Sequence, residues 1–405
     1  MKNRTWCLAE LALVCALAMG CSDGAAPGDT SSSGGGGGGA PAPGPGGGPA
    51  AGSTTTATGG ATSSPTSSAS GAGGGPASSG AGAGGGAADA SLIGFAAYDA
   101  DGLATTTGGS GGEVVTVTSY ADLVAALADD APRVVRISGT IVGGGAPMLR
   151  VRSNKTLLGV GADATIDGFG FDVSGWTEEL SASTGGTCTS ATPEGYTPVS
   201  NVIIRNLTFV NSPDDSVNVP CFSHHVWIDH NTFERGHDGS VDVKRGSDWV
   251  TVSWNHFHQT DKSMLLGHDD DNGAQDTGKL HVTYHHNWFD HSNQRHPRVR
   301  FGHAHVFNNF ADGLGDYMVG KGVGCSIHAD GNFLQNAEAA TDDYGGTDIT
   351  WTESNLVDAA TDPAVANGRG FDPSQFYAWS PDPAEEIPTL VPAGAGAGVL
   401  SGDEH

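Results

Sequence analysis

The chain has 405 residues and a formal net charge of −27, because 45 aspartates and glutamates outnumber 18 lysines and arginines. This excess of negative charge disfavours nonspecific binding to nucleic acid or to an anionic membrane surface. If the substrate is itself a polyanion, the few cations must be concentrated in one local patch.

The first 21 residues are typical of an export signal. A short basic head precedes an apolar run that is too brief to span a bilayer, and the run ends in small residues and Cys21. Leu17 to Cys21 resemble a bacterial lipoprotein processing box, in which Cys21 becomes the lipidated first residue. Ordinary secretory cleavage nearby is the alternative. We therefore expect a secreted or cell-surface protein that meets the membrane only through a lipid on Cys21.

Residues 22–90 consist almost entirely of Gly, Ala, Ser, Thr and Pro. They contain too little apolar surface to offset the entropy of ordering, so we interpret them as a flexible tether. Residues 91–405 are long enough for one large domain with a substantial core, and we expect a monomer.

The cysteines predict one disulfide. Three of the six lie in the export signal, which leaves Cys188, Cys221 and Cys325 in the domain. An odd number in an exported protein suggests one disulfide and one free thiol, and we predict that Cys188 pairs with Cys221.

A sequence repeat dominates the second half of the chain. Short β-rich runs such as VWIDHNTF, VTVSWNHF and VTYHHNWF each close with an asparagine and then an aromatic residue. The repeated asparagines are Asn206, Asn231, Asn255, Asn287, Asn309, Asn332 and Asn355. Their successive differences in residue number are 25, 24, 32, 22, 23 and 23. Such a period is typical of one solenoid coil.

The residue types in these runs favour a parallel β-helix over other solenoids. The runs are β-branched and too short for helices, and the leucine pattern of leucine-rich repeats is absent. The predicted fold class is all-β, with asparagines that stack along the axis. The longest interval contains an inserted loop, residues 268–279, which we expect at the rim of a site. Residues 120–130 predict a helix that caps the open end.

Two carboxylates and a lysine are predicted to share one face of a strand. Asp238, Asp242 and Lys244 lie at even separations and would project from the same side. Carboxylates on one face repel each other unless a cation lies between them, and Ca²⁺ suits oxygen ligands in an extracellular protein. Either Asp214 or Asp215, one coil earlier, would supply a further carboxylate. Solvated charges on a surface strand are the alternative.

A basic group follows this acidic one. It comprises Lys262 and three arginines within six residues, Arg295, Arg298 and Arg300. Guanidinium groups match carboxylates bidentately, so these residues predict the local patch that a polyanionic substrate requires. Pro297 interrupts strand pairing and would allow Arg295 and Arg300 to point to one side. A patch for RNA or a heparin-like polymer is the alternative.

Several long motifs resemble those of the pectate lyases, in the polysaccharide lyase group that also contains the plant pollen-allergen lyases. The similarity extends from Ile93 to about Leu400 and includes VWIDHNTF, DGSVDVKRGSDWVTVSWNHF, DKSMLLGH and RHPRVRFGHAHVFNNF. The resemblance implies a right-handed parallel β-helix and cleavage of α-1,4-linked galacturonan. Polygalacturonate is therefore the expected partner.

The resemblance also implies roles for individual residues. The calcium ligands fall on Asp215, Asp238 and Asp242, the catalytic arginine on Arg295, and the contacts to the substrate carboxylate on Lys262 and Arg300, with Lys244 as an additional contact. The choice between Asp214 and Asp215 stays open. Asp229 matches a structural position near the site and is not expected to bind calcium.

The implied reaction is β-elimination. Removal of the proton at C5 builds negative charge on the uronate carboxylate, so cations bound there act mainly in the transition state. Arg295 would remove the proton and calcium would bridge the carboxylate to the aspartates. Because arginine is normally protonated, this role requires neighbouring cations and burial to ease its deprotonation. We therefore expect an alkaline activity optimum.

Three other functions and one other metal are weighed against this hypothesis. Pectin lyase takes a methyl-esterified substrate without calcium, and polygalacturonase would need paired acid and base carboxylates. A noncatalytic glycan-binding β-helix is the third alternative. The histidine pairs His224–His225 and His285–His286 suggest zinc. However, neighbouring residues of a strand point to opposite faces, so neither pair alone is expected to form a compact site.

Overall fold

A computed structural model describes residues 92–184, 188, 195–366 and 368–400. The predicted export signal and the predicted tether lie outside the described residues, and both stay predictions. Within the described part, no helix is both long and apolar enough to cross a membrane.

The described residues form a right-handed parallel β-helix of about ten turns, as predicted. Every strand pairing between successive coils is parallel, and the strands form three faces, which we call A, B and C. Strands β1 to β25 and helices α1 to α4 are numbered along the chain.

Among the described residues, face A consists of ten strands. They are β1 (Glu113–Val117), β2 (Arg133–Val142), β4 (Lys155–Asp167), β6 (Ser200–Arg205), β9 (His224–Asp229), β12 (Asp248–Ser253), β15 (His281–His285), β18 (His303–Phe307), β21 (Ser326–Asp330) and β24 (Asp348–Trp351). The longest of these strands are β2 and β4. The beginning of β4 pairs with β6 of face A and its end pairs with the first strand of face B, so the two faces share this strand.

Faces B and C consist of short strands. Face B contains β7 (Thr208–Val210), β10 (Thr232–Glu234), β13 (His256–His258), β16 (Trp288–Asp290), β19 (Phe310–Asp312), β22 (Phe333–Gln335) and β25 (Leu356–Val357). Face C contains β3 (Met148–Arg150), β5 (Gly170–Asp172), β8 (Val217–Val219), β11 (Gly239–Val243), β14 (Lys262–Leu266), β17 (Arg298–Val299), β20 (Tyr317–Gly322) and β23 (Ala339–Tyr344).

The helices lie outside this series of strands. They are α1 (Tyr120–Ala126), α2 (Glu178–Thr184), α3 (Gly273–Asp276) and α4 (Ile387–Gly394). The predicted cap is α1, whose Leu123 and Ala126 are buried in the same apolar core as the first strands. Ser119 caps it by accepting a hydrogen bond from Asp122 N at 3.2 Å. The helix ends four residues before the predicted boundary at residue 130.

The predicted asparagine stack is present and joins six coils. Each side-chain amide donates to the Oδ1 of the next asparagine over 2.8 to 3.1 Å. Its members are Asn231, Asn255, Asn287, Asn309, Asn332 and Asn355. All are at most 8 % exposed, so the stack satisfies amides that would be costly to bury unpaired.

The prediction that Asn206 is the first member of this stack is wrong by one residue. Leu207 occupies the position, and its backbone N–H donates to Asn231 Oδ1 at 3.1 Å. Asn206 lies one residue earlier, in the left-handed conformation with φ 59°, and donates to Gly159 O. Asparagine tolerates that conformation well, which is why the two adjacent positions are easily confused in a sequence.

Aromatic rings fill the interior behind face B. Phe209, Phe233, Phe257 and Phe289 are fully buried, and their successive ring centroids lie 5.1, 5.0 and 5.3 Å apart. Phe310 does not continue this stack although its motif resembles the others. It pairs with Trp288 and packs outward against α4.

The cysteine prediction is confirmed. Cys188 and Cys221 form a disulfide with a Cα–Cα distance of 5.7 Å. Cys325 is buried and is the free thiol among the described cysteines.

Buried histidines predict loss of stability in acid. Burial lowers the pKa of His224 and His303 to about 4 and that of His296 to about 3. In the unfolded chain, the same histidines take up protons near the ordinary histidine pKa of about 6.5. The contribution of the neutral, buried histidines to the free energy of unfolding is therefore fully present above about pH 6.5. It is lost as the pH falls from 6.5 toward 4. Asp172, whose pKa burial raises to about 6, offsets part of this loss.

We therefore expect the urea midpoint to decrease steadily between pH 7 and pH 4.5. Fluorescence-detected unfolding at several pH values would measure it. A midpoint that stays constant or rises over this range would contradict the prediction.

Candidate active site

Strand β11 presents the predicted acidic group on the outside of face C. Val241 and Val243 point into the core, so the alternating Asp242 faces outward. The Nζ of Lys244, two residues further along, lies 3.2 Å from Asp242 Oδ2. This contact confirms that Asp242 and Lys244 share a side of the strand.

Asp215 reaches the same group from the coil before. Its carboxylate lies 3.1 Å from Lys244 Nζ and accepts a hydrogen bond from the backbone of Gly239 at 3.2 Å. A Cβ at Gly239 would lie 2.7 Å from Asp215 Oδ1 and 2.9 Å from Asp242 Oδ1. A side chain at this position would therefore displace the two carboxylate oxygens from the space that they share.

The carboxylates are spaced suitably for a calcium ion. Asp214, Asp215 and Asp238 each offer an oxygen, and these three atoms lie within 4.8 Å of one another. Ca²⁺ binds oxygens at about 2.3 to 2.6 Å, so ligands on opposite sides of one ion are separated by about 5 Å. Both Asp214 and Asp215 belong to the group, and the choice between them stays open.

Burial gives these carboxylates an unfavourable electrostatic environment. Desolvation and the charge of Asp242 raise the pKa of Asp215 to about 7, and Lys244 compensates only in part. Burial would lower the pKa of Lys244, but the negative charges of Asp242 and Asp215 raise it above the ordinary lysine value. Such a cluster of buried negative charge favours any cation that enters it.

One acidic residue of this cluster was not predicted from the sequence. Asp172 in β5 aligns through Asn218 with Asp242 on face C. Burial raises its pKa to about 6, although Arg150 and Lys244 lower it. The first coils lack the asparagine–aromatic motif, so the register that aligns Asp172 with Asp242 could not be predicted.

Lys262 begins β14, the strand next to β11, and contacts the acidic group directly. Its Nζ lies 2.7 Å from Asp238 Oδ1. Burial would raise the pKa of Asp238, but the hydrogen bond from Lys262 and the charges of Lys262 and Arg295 lower it. Arg295 therefore lies within electrostatic reach of Asp238, as the predicted site requires.

Arg295 is positioned by the backbone of face C. It adopts a left-handed conformation with φ 65°, and its carbonyl accepts a hydrogen bond from Met264 N in β14 at 2.8 Å. Its Nε is buried and has no hydrogen-bond partner among the described residues. A buried donor without a partner is costly, and a bound ligand would satisfy it.

The other two arginines have different surroundings. The guanidinium of Arg298 lies over the ring of Tyr344, 3.9 Å from its centroid. Burial and the charges of Arg300 and Arg295 lower the pKa of Arg298. Arg298 therefore lies within electrostatic reach of both Arg295 and Arg300, as the predicted basic patch requires.

The inserted loop contacts the basic patch. Asp270 Oδ1 lies 2.5 Å from Arg300 Nε, and Arg300 Nη1 donates to Gly267 O at 3.2 Å. The Arg300 side chain is 13 % exposed and that of Asp270 is 54 % exposed. The carboxylate at this arginine therefore comes from the protein's own loop, which lies at the rim of the site as predicted.

Replacement of Asp270 by asparagine should make Arg300 more available to an anionic substrate. An exposed ion pair contributes up to about 1 kcal/mol, so KM should fall by at most about fivefold with little change in kcat. Steady-state kinetics would measure both. Asp271→Asn removes a charge from the neighbouring exposed residue and should leave KM unchanged. A higher KM for Asp270→Asn would mean that the loop carboxylate instead holds Arg300 in its binding position.

Asp229 has the structural role that was expected of it. Its buried carboxylate accepts hydrogen bonds from Arg205 at 2.8 Å, His230 at 2.7 Å and Ser253 at 2.7 Å. It lies at the end of β9 on face A.

The prediction that adjacent histidines point apart is wrong. His224 Nδ1 lies 2.8 Å from His225 Nδ1, and His285 Nδ1 lies 2.9 Å from His286 Nδ1. The second residue of each pair has a positive φ, 55° or 53°, so the strand alternation is interrupted there. Neither pair belongs to a described group with the carboxylate or third ligand that a metal site needs.

A parallel β-helix with adjoining acidic and basic groups on one outer face is typical of the β-helix polysaccharide lyases. The chain matches a family model described as pectate lyase over residues 52–398. The chain therefore belongs to the pectate lyase family and is an enzyme.

Individual relatives agree with this assignment. The chain is 30 % identical over 334 residues to a pectate trisaccharide-lyase of Bacillus licheniformis, covering 78 % of this chain and 88 % of that one. It is 33 % identical over 354 residues to a pectate trisaccharide-lyase of Thermotoga maritima, covering 77 % and 90 %. Among solved structures, a thermostable pectate lyase superposes with a TM-score of 0.62 at 25 % identity, over 76 % of this chain and 97 % of that one.

Proposed function

We propose that the protein is a calcium-dependent pectate lyase that cleaves α-1,4-linked polygalacturonate by β-elimination. The observation that carries the proposal is the contact between the two charged groups on face C, where Lys262 of the basic patch lies 2.7 Å from Asp238 of the acidic cluster. Two structural neighbours support the substrate class. One was solved bound to a hexasaccharide and the other with trigalacturonate.

The acidic cluster fits a resident calcium ion. Asp215, Asp238 and Asp242 would hold it, with Asp214 as the alternative to Asp215, because all supply the oxygen ligands that Ca²⁺ prefers. When bound, calcium supplies positive charge next to the uronate carboxylate and so makes the C5 proton more acidic. Lys244 lies between Asp215 and Asp242 and would share these carboxylates with the ion.

The basic residues would bind and orient the substrate. Lys262 and Arg300 would contact uronate carboxylates, since both are cationic and lie beside the acidic cluster. Binding requires each to exchange a protein carboxylate, Asp238 or Asp270, for a substrate carboxylate. Such an exchange costs less than desolvating a free cation, because the group is already partly removed from water.

Arg295 would remove the proton from C5. Its buried Nε has no partner among the described residues, and it lies within electrostatic reach of Asp238. The C5–H electron pair then forms the C4–C5 double bond as the C4–O4 bond breaks. The leaving O4 takes up a proton, so that no water molecule is consumed as a reactant. This route differs from that of a hydrolase, which needs a positioned water.

A single assay tests the reaction and the metal together. Polygalacturonate should yield products with the ultraviolet absorbance of an unsaturated uronate, and chelation should abolish this signal until calcium is restored. New reducing ends without absorbance would indicate hydrolysis and overturn the proposed reaction. Full activity after complete chelation would remove calcium from the proposal. Faster cleavage of the fully methyl-esterified polymer would favour pectin lyase.

A further inference from the structure

Face B carries a second group of metal-ligating side chains, away from the acidic and basic groups of face C. His256 and His258 in β13 face outward, because Phe257 between them is buried in the core. Asp290 in β16 aligns with His258 on the next coil. One ligand atom from each of the three residues lies within 4.8 Å of the others.

Asp290 joins the two histidines through a single oxygen. Its Oδ2 lies 3.1 Å from His256 Nε2 and 2.8 Å from His258 Nδ1. His291 approaches the other oxygen, with Nδ1 2.6 Å from Asp290 Oδ1. Three imidazoles thus surround one carboxylate. A divalent ion that replaced the protons shared between the imidazoles and the carboxylate would have nitrogen and oxygen ligands at one site.

The surroundings hold this group in place while leaving it accessible. The ring of His256 stacks on Trp288, with centroids 4.0 Å apart and planes 8° apart. Trp288 in turn packs against the apolar cluster that includes α4. The side chains of His258 and His291 are 33 % and 64 % exposed, so an ion can enter from solvent.

The neighbouring charges favour a cation. Glu234 aligns with His258 on one side, and Asp312 aligns with Asp290 on the other. The charge of Glu234 acts to raise the pKa of His256, although burial lowers it overall, and the charge of Asp312 acts to raise the pKa of His291. The group therefore lies in a column of negative charge along face B.

We propose that His256, His258 and Asp290 form a binding site for a transition-metal ion of the zinc class, with His291 available as a fourth ligand. Imidazole and carboxylate donors suit Zn²⁺, and the separations of 3.1 and 2.8 Å between Asp290 Oδ2 and the two histidine nitrogens are compatible with bonds of about 2.0 to 2.2 Å to one ion. Calcium would bind poorly here, because it prefers oxygen ligands. Because the ligands come from adjacent coils, the bound ion would join β13 to β16.

Titration calorimetry with ZnCl₂ on the full-length protein would test the site. The buffer should contain calcium, so that the carboxylates of face C are occupied. One equivalent of zinc should bind and raise the thermal midpoint. Loss of a residue that only hydrogen-bonds to a metal ligand weakens metal binding by about 10- to 100-fold. His258 is proposed as a ligand itself, so His258→Gln should weaken zinc binding by at least about 100-fold. Co²⁺ in place of Zn²⁺ should give the visible absorption of a four-coordinate site.

His328→Gln provides the matched control. His328 belongs to another described group, with His305 and Asp330, and this variant should still bind one equivalent. Circular dichroism would establish that both variants fold, which is expected because His258 is partly exposed. Unchanged binding in His258→Gln, or loss of binding only in His328→Gln, would overturn the proposal. So would the absence of binding in the unaltered protein, which would leave the group a hydrogen-bonded network.

Discussion

Replacement of Arg295 by lysine is expected to lower kcat by about 10³-fold, within the range that general acid–base catalysis contributes. Lysine keeps the positive charge but is shorter and carries no planar guanidinium, so it cannot place a base at the same point. KM should change little, because Lys262 and Arg300 still contact the substrate. Steady-state kinetics on polygalacturonate would separate the two constants.

Arg152→Lys makes the same chemical change at a pair with Asp130, in the first coils of the domain. Its activity should equal that of the unaltered enzyme. If the Arg295 variant kept more than about a tenth of kcat, proton removal would have to be assigned to another group. If instead KM alone increased, Arg295 would be a binding residue.

Asp238→Asn is expected to raise the calcium concentration needed for half-maximal activity by about 10- to 100-fold. The substitution removes one negative oxygen ligand and also releases Lys262, whose Nζ lies 2.7 Å away. Activity at low calcium should therefore be nearly lost, and excess calcium should restore part of it. Activity measured over a calcium series would give the shift.

Asp163→Asn removes the same charge from an exposed residue outside face C and should leave the calcium requirement unchanged. Equal shifts in both variants would show that net charge, rather than ligation, controls the response. An activity loss in Asp238→Asn that calcium does not relieve would give Asp238 a role in positioning Lys262 instead.

The fold was predictable because its repeat appears in the sequence. An asparagine recurs at one corner, and six of the seven predicted members form the buried stack. The error at Asn206 arose where two adjacent residues both suit asparagine, one by side-chain pairing and the other by its left-handed backbone. Phe310 was similarly ambiguous, because an aromatic residue after the asparagine can face the core or α4.

The sequence was sufficient to predict which types of residue lie on one face of the site. It was not sufficient to predict which side chains contact each other there. Strand alternation brought Asp242 and Lys244 together, and the order of the coils brought Lys262 next to Asp238. The contact between Asp270 and Arg300 depends on the path of a loop that the repeat does not determine. The grouping of His256, His258 and Asp290 depends on which residues of β13 and β16 lie opposite each other. These two strands are separated by the same loop, so His258 and Asp290 are 32 residues apart in the chain.

The asparagine stack also has a consequence for how this enzyme can diversify. Asn255 and Asn287 are separated by 32 residues and Asn287 and Asn309 by only 22, yet their amide hydrogen bonds measure 3.1 and 3.0 Å. The alignment of successive coils is thus independent of the number of residues between the stacked asparagines. Segments at the rim can be lengthened, shortened or exchanged while the side chains on face C keep their spacing. Substrate preference can therefore evolve, or be engineered, on an unchanged framework.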